Sequence, residues 1–210
     1  MRYIEERKYA MPAKKKVTRA AMLQAAVEIL RKEGHDHLNA RSVAQRLGCS
    51  TQPIYTEFGS MEALKAEMKR EAERLYVQAV AHYTAQSKYP PYMAFGLGFI
   101  RFAKQEKEMF RYLYMRDRHG NGRAIDDINA PNIMQTLTQR YNMAADQAKQ
   151  LHYDMMIYAY GLAVMVNANY LDIDEDEICR RLRLEFVALA RVYGAQEDAL
   201  AAEDSKMGKV

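Results

Sequence analysis

Four polar side chains are grouped near residue 50 of this 210-residue sequence: Thr51, Gln52, Tyr55 and Thr56. Residues three and four apart lie on the same face of a helix, so a helix here would carry an uncharged polar surface. A glutamine amide can pair with adenine through two hydrogen bonds, and a threonine methyl can contact the methyl of thymine. We expect Gln52 and Thr51 to contact bases in this way, and Tyr55 to donate to a phosphate. The cluster therefore offers the chemistry of contact with DNA.

The residues around this polar surface predict two short helices joined by a tight turn. Ile54 and Phe58, four residues apart, give the second helix an apolar side. Gly48 supplies the left-handed position that ends the first helix, and Ser50 is expected to cap the second. Pro53 fits the first turn of the second helix, where no amide hydrogen is needed. The apolar face of the first helix consists of Val43, Ala44 and Leu47.

Positive charge is concentrated in the same part of the chain. The net charge is +4, yet residues 1–60 hold 11 Lys and Arg against 6 Asp and Glu. Attraction to phosphates supplies much of the affinity for DNA, so this location favours a DNA-binding segment. Arg41, near the start of the first short helix, is expected to bond to a phosphate. The lysine-rich segment 1–16 has two interpretations: an arm that follows the DNA, or a solvated tail.

The remaining sequence predicts further helices. Apolar residues recur at helical spacing along most of it, and no β-hairpin signal is present. A first helix is expected at about 18–33, ended by Gly34, and a long helix at 61–85, capped by Ser60. Asp146 and Asp174 are expected to cap two later helices. We therefore expect an all-α protein in which a three-helix head is joined by a long helix to a second helical domain.

Several classes of protein and site are disfavoured. Cys49 and Cys179 lie far apart and suit the reduced thiols of a cytoplasmic protein. The most apolar segment, 155–171, is short for a membrane span, and the N-terminus lacks a signal-peptide pattern. His35 and His37 have no further ligand pair nearby, so we expect neither a metal nor a cofactor. The five histidines are scattered and no nucleophile or phosphate-loop spacing occurs, so an enzyme is not expected.

Over about the first 65 residues these elements resemble the TetR family of bacterial transcriptional regulators. The resemblance implies a homodimer that represses transcription from a palindromic operator in double-stranded DNA until a small-molecule effector releases it. The implied parts are a flexible basic arm at 1–16, a helix-turn-helix domain at 17–60, a helical regulatory and dimerisation domain at 61–194, and a polar tail at 195–210. The stretches that match are 38–44, 47–50, 54–55, 58–60 and 62–64.

Two positions depart from the family pattern. Met61 stands where many members have a lysine that meets a phosphate, and Lys65 is the candidate to replace that contact. Glu57 stands where histidine or tyrosine is common. A carboxylate there must point away from phosphates or accept from a cytosine amino group. The residues expected at the DNA are Arg41, Ser50, Thr51, Gln52, Tyr55, Thr56 and Lys65.

The second domain is rich in side chains that suit an adaptable apolar pocket. The chain has 14 methionines and 15 tyrosines, most of them in this domain. Arg116 and Arg118 have two interpretations, the attraction of an anionic ligand and a solvated loop. The candidates for binding the effector are Phe99, Phe102, Tyr112, Met115, Tyr158 and Met165, with ordinary core packing as the alternative for each.

Dimerisation is assigned to the last two long helices, whose mixture of small and large apolar residues allows close helix approach. The alternative is that these faces fill the core of one subunit. A second functional class also stays open, in which a protein of the same fold binds DNA under the control of a protein partner. The residues proposed for the dimer interface are Met156, Ala159, Tyr160, Ala163, Val164, Leu182, Phe186, Leu189 and Val192.

Overall fold

The computed structural model describes residues 17–116 and 130–196, together with 198, 200 and 201. Regular structure among these residues is entirely helical, without a strand, so the expected all-α class is confirmed. The predicted arm at 1–16 and most of the predicted loop at 116–122 lie outside the described residues. The helices are α1 (Arg19–Glu33), α2 (Ala40–Leu47), α3 (Gln52–Phe58), α4 (Met61–Gln86), α5 (Pro91–Gln105), α6 (Lys107–Tyr114), α7 (Ala130–Arg140), α8 (Ala145–Asn167) and α9 (Glu175–Val192).

Polar caps and one left-handed glycine set the ends of the N-terminal helices. The Thr18 hydroxyl caps α1. The Asn39 Oδ1 atom caps α2 and accepts from the amides of Arg41 and Ser42, each at 3.0 Å. Gly48 ends α2 at φ 64°, the left-handed conformation that glycine adopts without steric cost. The predicted turn between the two short helices is therefore present.

Two predicted helix caps are wrong. Thr51, not Ser50, is the residue before α3, and its side chain makes no capping hydrogen bond. Ser50 lies one residue further from the first residue of α3, Gln52. Asp146 lies inside the first turn of α8, because that helix starts one residue earlier. The amide of Ala144 there donates to Oε1 of Gln147 at 3.3 Å.

The long helix α4 connects the N-terminal helices to the others. Its buried side chains recur every four residues, so they form one stripe along the helix. With 26 residues, α4 extends over roughly 39 Å. It packs against α1 and α3, and also against α5 and α6. The buried stripe consists of Leu64, Met68, Ala72, Tyr76 and Val80.

Helix α5 is at the centre of the C-terminal part, where it packs against α4, α6, α7, α8 and α9. Gly98 brings it close to α4, since a Cβ atom there would lie 3.3 Å from Cγ1 of Val80. The Tyr76 ring of α4 meets the rings of Phe99 and Phe102 edge-on, with centroids 6.3 and 5.1 Å apart. These aromatic contacts stabilise the pair of helices beyond the burial of their area.

One buried side chain, Asn167, links the end of α8 to the junction of α5 and α6. Its Nδ2 atom donates to the carbonyls of Ala103 at 2.9 Å and Lys107 at 3.1 Å. Its Oδ1 atom accepts from Nε of Arg111 at 3.0 Å. Asn167 is fully buried, and such a polar group is tolerated only when it is hydrogen-bonded. Across the described ranges, no helix is both long and apolar enough to cross a membrane.

Candidate nucleic-acid and ligand sites

Helix α3 separates apolar and polar side chains on opposite sides. Ile54 and Phe58 are 0% and 8% exposed, whereas Tyr55 is 45% exposed. Gln52 and Thr56 are also exposed. The Thr56 hydroxyl donates to the Gln52 carbonyl at 3.0 Å, which leaves its oxygen able to accept a further hydrogen bond. The outer side of α3 therefore presents an amide, a phenol and a hydroxyl next to one another.

The other residues expected at the DNA differ in how exposed they are. Arg41 and Ser50 are exposed, and Thr51 is half-buried at the start of α3. Lys65 is half-buried on α4, where its positive charge helps to lower the pKa of His35. Lys65 is therefore the member of the predicted set that is electrostatically coupled to the turn after α1.

Arg19 holds the C-terminal end of α3 against α1 and α4, a role that sequence reasoning missed. Its guanidinium group donates to the carbonyl of Glu57 and pairs with the carboxylate of Glu67. It also lies 4.0 Å from the centroid of the Phe58 ring. A cation at the end of a helix interacts favourably with its exposed carbonyls. The side chain of Glu57 stays exposed, while its backbone oxygen makes this contact.

A ring stack joins the turn after α1 to helix α6. His35, in a single 3-10 turn that spans His35–His37, stacks on Tyr112 with ring centroids 5.1 Å apart. The guanidinium group of Arg116 lies over the Tyr112 ring, 5.0 Å from its centroid. Burial is the main reason that the pKa of His35 lies below its ordinary value, and the nearby Arg116 charge lowers it further. Protonation of His35 is therefore disfavoured at this contact.

A second contact, between α1 and the junction of α5 and α6, is ionic. Nε of Arg31 in α1 lies 2.7 Å from Oε2 of Glu106, the residue between α5 and α6. The turn after α1 is also closely packed, because a Cβ atom at Gly34 would lie 2.9 Å from Oε2 of Glu108. Together with the His35 stack, these contacts connect α1 to the junction that Asn167 supports from the other side.

An aromatic cavity lies among α4, α5, α7, α8 and α9, with a volume of about 40 Å³. Its aromatic lining comes from Tyr76, Tyr92, Phe95, Phe99 and Phe186, and three methionines add to it. The rings of Tyr92 and Phe186 have centroids 5.0 Å apart. The Tyr92 hydroxyl lies 3.5 Å from Nδ1 of His152, which is the polar end of the cavity. The lining residues within the described ranges include no Asp, Glu, Lys or Arg.

Phe99 alone among the six predicted ligand residues lines this cavity. Phe102 lines a separate groove of about 200 Å³ between α4 and α5, and Tyr112 stacks on His35. Met115 and Met165 are each 43% exposed, and Tyr158 is half-buried on α8. Arg116 lies at the Tyr112 ring, and Arg118 is outside the described residues.

Sequence reasoning missed the cavity residues of α8, although their spacing carried a signal. His152, Met155, Met156 and Ala159 recur at helical intervals, so they share the side of α8 that faces α5. Residues 158 and 165 lie on a different side of the same helix. A polar histidine within an otherwise apolar face is the part of that pattern that pointed to a site.

The residues predicted for dimerisation divide between core and surface. Ala159, Ala163, Leu182 and Phe186 are buried within this one chain, so for them the alternative of a monomer core applies. Tyr160 is half-buried, and its hydroxyl donates to the Tyr114 carbonyl at 2.8 Å. Met156 lines the cavity, Val192 is exposed, and Val164 and Leu189 are half-buried.

Other apolar side chains are exposed on α8 and α9, and we call this set of residues the α8–α9 stripe. On α8, Tyr153 and Ile157 are 50% and 53% exposed, and Gly161 follows at the same four-residue spacing. No atom lies within 4 Å of a Cβ atom built at Gly161. On α9, Leu184 and Val192 are 61% and 77% exposed. Large exposed apolar groups at helical spacing are typical of a surface that contacts another protein.

No protein-family model matches this sequence, and no curated protein matches it either. Among the described residues, no three His, Cys, Asp or Glu side chains are grouped as metal ligands. Cys49 and Cys179 are both free thiols. The exposed side of α3, the α8–α9 stripe and the aromatic cavity are therefore the candidate functional regions.

Proposed function

We propose that this protein is a DNA-binding transcriptional regulator similar to the TetR repressors. Helices α1, α2 and α3 act as a helix-turn-helix head, and the remaining helices form a regulatory and dimerisation domain. The observation that carries this proposal is the division of α3 into a buried side with Ile54 and Phe58 and an exposed side with Gln52 and Tyr55. A recognition helix needs this division because it packs on one side and enters the major groove on the other.

A homodimer follows from the size of this head. Helix α3 has seven residues and can reach only a few base pairs, which is too few for useful specificity. Two copies related by a two-fold axis would contact two half-sites of a palindromic operator. The α8–α9 stripe is the surface proposed for this pairing, because its exposed Ile157 and Leu184 would be buried and Gly161 permits close approach of a second helix.

Regulation requires a link between the cavity and the heads. Tyr76 of α4 lines the cavity, and Leu64 of the same helix lies about three turns closer to α3. An effector that occupies the cavity and shifts α4 would change the spacing of the two heads. It would do so only if it bound the conformation released from DNA more tightly than the bound one. Repression relieved by a small molecule is the resulting proposal.

The test is binding to DNA from the region upstream of the coding sequence. Gln52→Ala and Tyr55→Ala should each weaken binding by about fivefold to a hundredfold, because one base or phosphate contact is lost. The measurement is a fluorescence-anisotropy titration, with thermal unfolding as the check that the protein still folds. Gln78→Ala, an exposed glutamine of α4, is the matched control and should bind normally. Normal binding by both head variants would exclude the proposed reading surface.

The small cavity favours a second candidate, a DNA-binding protein of the same fold that is regulated by a protein partner. Ligand pockets usually have volumes of several hundred Å³, whereas this one has about 40 Å³. In that candidate the exposed apolar residues would receive the partner. Release of the DNA by a small molecule that binds the purified protein would exclude it.

A further inference from the structure

We propose that the effector is a compact, uncharged aromatic molecule with one hydrogen-bonding group, held by the pair Tyr92 and His152. This inference rests on the proposed function, in which the aromatic cavity is the effector site. It adds the class of molecule that the cavity binds. Four properties of the cavity carry it: the lack of Asp, Glu, Lys and Arg among its described lining residues, its ring geometry, its size and the pair formed by the Tyr92 hydroxyl and the His152 imidazole.

The absence of charge in the lining selects an uncharged ligand. The charged residues Arg101 and Glu106 line the separate groove between α4 and α5 and not this cavity. Transfer of an ionised group from water to an apolar site is costly unless an opposite charge meets it. Among the lining residues described, an ammonium ligand would find no Asp or Glu, and a carboxylate ligand would find no Lys or Arg.

The ring geometry selects an aromatic ligand. Tyr92 and Phe186 are tilted by 39° with centroids 5.0 Å apart, and Tyr76 meets Phe99 at 85°. Aromatic pairs prefer offset or edge-to-face contact. A planar aromatic ring can extend this arrangement with further contacts of the same kind.

The volume of about 40 Å³ selects a small ligand and requires side chains to move. That space holds only a few water molecules. Met93 and Met155 are buried lining residues, and Met156 is half-buried beside them. Methionine side chains are unbranched and adapt readily to a new neighbour. Their movement would admit one aromatic ring and would transmit its presence to α5 and α8.

The pair of Tyr92 and His152 favours a ligand with one hydrogen-bonding group. The distance of 3.5 Å between the Tyr92 hydroxyl and Nδ1 of His152 is long for a hydrogen bond of this kind. A ligand hydroxyl or carbonyl that lies beside the pair can form a hydrogen bond with one of the two groups at a shorter distance. The Tyr92 ring also packs against the Phe186 ring, with centroids 5.0 Å apart.

The experiment titrates the full-length protein with toluene, p-cresol and p-toluate by isothermal calorimetry. We expect p-cresol to bind most tightly, toluene next, and p-toluate not measurably. Tyr92→Phe should weaken the binding of p-cresol by about five- to tenfold, the usual effect of one hydrogen bond. It should weaken the binding of toluene by less than about twofold. Retained toluene binding shows that the cavity is intact. Tyr170→Phe, at an exposed tyrosine just after α8, is the matched control and should change neither affinity.

Ala159→Leu fills the cavity from α8 and should abolish binding of all the probes. Tightest binding by p-toluate, no binding by any probe, or unchanged binding in the filled variant would overturn the inference. An equal loss of p-cresol and toluene in Tyr92→Phe would overturn the role of Tyr92. The proposed function fails separately: p-cresol that binds as expected without weakening DNA binding would leave the ligand class in place and remove its role as the releasing signal.

Discussion

At the scale of single residues, His35 connects the N-terminal helices to α6 through a ring and not through a charge. It stacks on Tyr112, and its pKa is lowered by burial and by the charges of Arg116 and Lys65. A hydrogen bond to the Asp36 carboxylate raises the pKa of His35, but this influence is weaker. The folded protein therefore favours neutral His35 more strongly than the unfolded chain does.

This difference predicts a dependence of stability on pH. The unfolded chain binds a proton at His35 near its ordinary pKa of 6.5, while the folded protein binds it only at lower pH. The free energy of unfolding should therefore fall as the pH drops below about 6.5. The fall should end once the pH is below the pKa of His35 in the folded protein. His35→Phe keeps the ring stack and should show a smaller fall between pH 7.5 and 5, measured by urea denaturation at each pH.

The matched control for this prediction is His37→Phe in the same 3-10 turn. His37 is exposed, and its replacement shows how far a phenylalanine in this turn changes stability by itself. If His35→Phe retains the full loss of stability at low pH, the burial of His35 does not contribute to it.

At the scale of helices, local signals in the sequence predicted the elements well. Ser60 and Asp174 cap their helices as expected, each accepting from the amide three residues on. Gly48 ends α2 in the left-handed conformation. These features depend on residues that are neighbours in the chain, so the sequence alone is sufficient to predict them.

The cavity could not be predicted in the same way, because it depends on how helices are rotated against each other. Tyr158, Met165 and Met155 are all large side chains of α8, yet only Met155 lines the cavity. The contact of Arg19 with Glu57, across 38 positions of the chain, likewise has no local signal. Tertiary packing decides such contacts, and helical periodicity alone leaves the choice of side open.

The junction of α5 and α6 provides a prediction at this scale. Asn167→Ala removes the donor for the carbonyls of Ala103 and Lys107 and the acceptor for Arg111. Buried polar groups left without a partner cost about 1–3 kcal/mol each, so the free energy of unfolding should fall by at least about 2 kcal/mol. Urea denaturation measures this change. Gln150→Ala, an exposed position of α8, should alter stability by less than about 0.5 kcal/mol; equal effects would show that Asn167 is not a structural link.

At the scale of the whole molecule, large apolar side chains of α8 and α9 remain on the surface of the single chain. The described core accounts for the buried sides of α8 and α9, yet Ile157, Leu184 and Val192 remain more than half exposed. A symmetric dimer would bury each of them twice, once from each subunit. The same pairing would fix the distance between two copies of α3, which should lie roughly 34 Å apart to contact successive major grooves.

Ile157→Glu should therefore convert the protein to a monomer, because a carboxylate in the α8–α9 stripe would be buried in the dimer interface without a partner. Multi-angle light scattering at micromolar concentration measures the mass, and circular dichroism verifies the helical content. The variant should also lose at least about tenfold in operator affinity, since one head alone contacts a single half-site. Gln78→Glu introduces the same carboxylate on exposed α4 and should remain dimeric. A dimeric Ile157→Glu protein would show that α8 and α9 pair through another surface or do not pair.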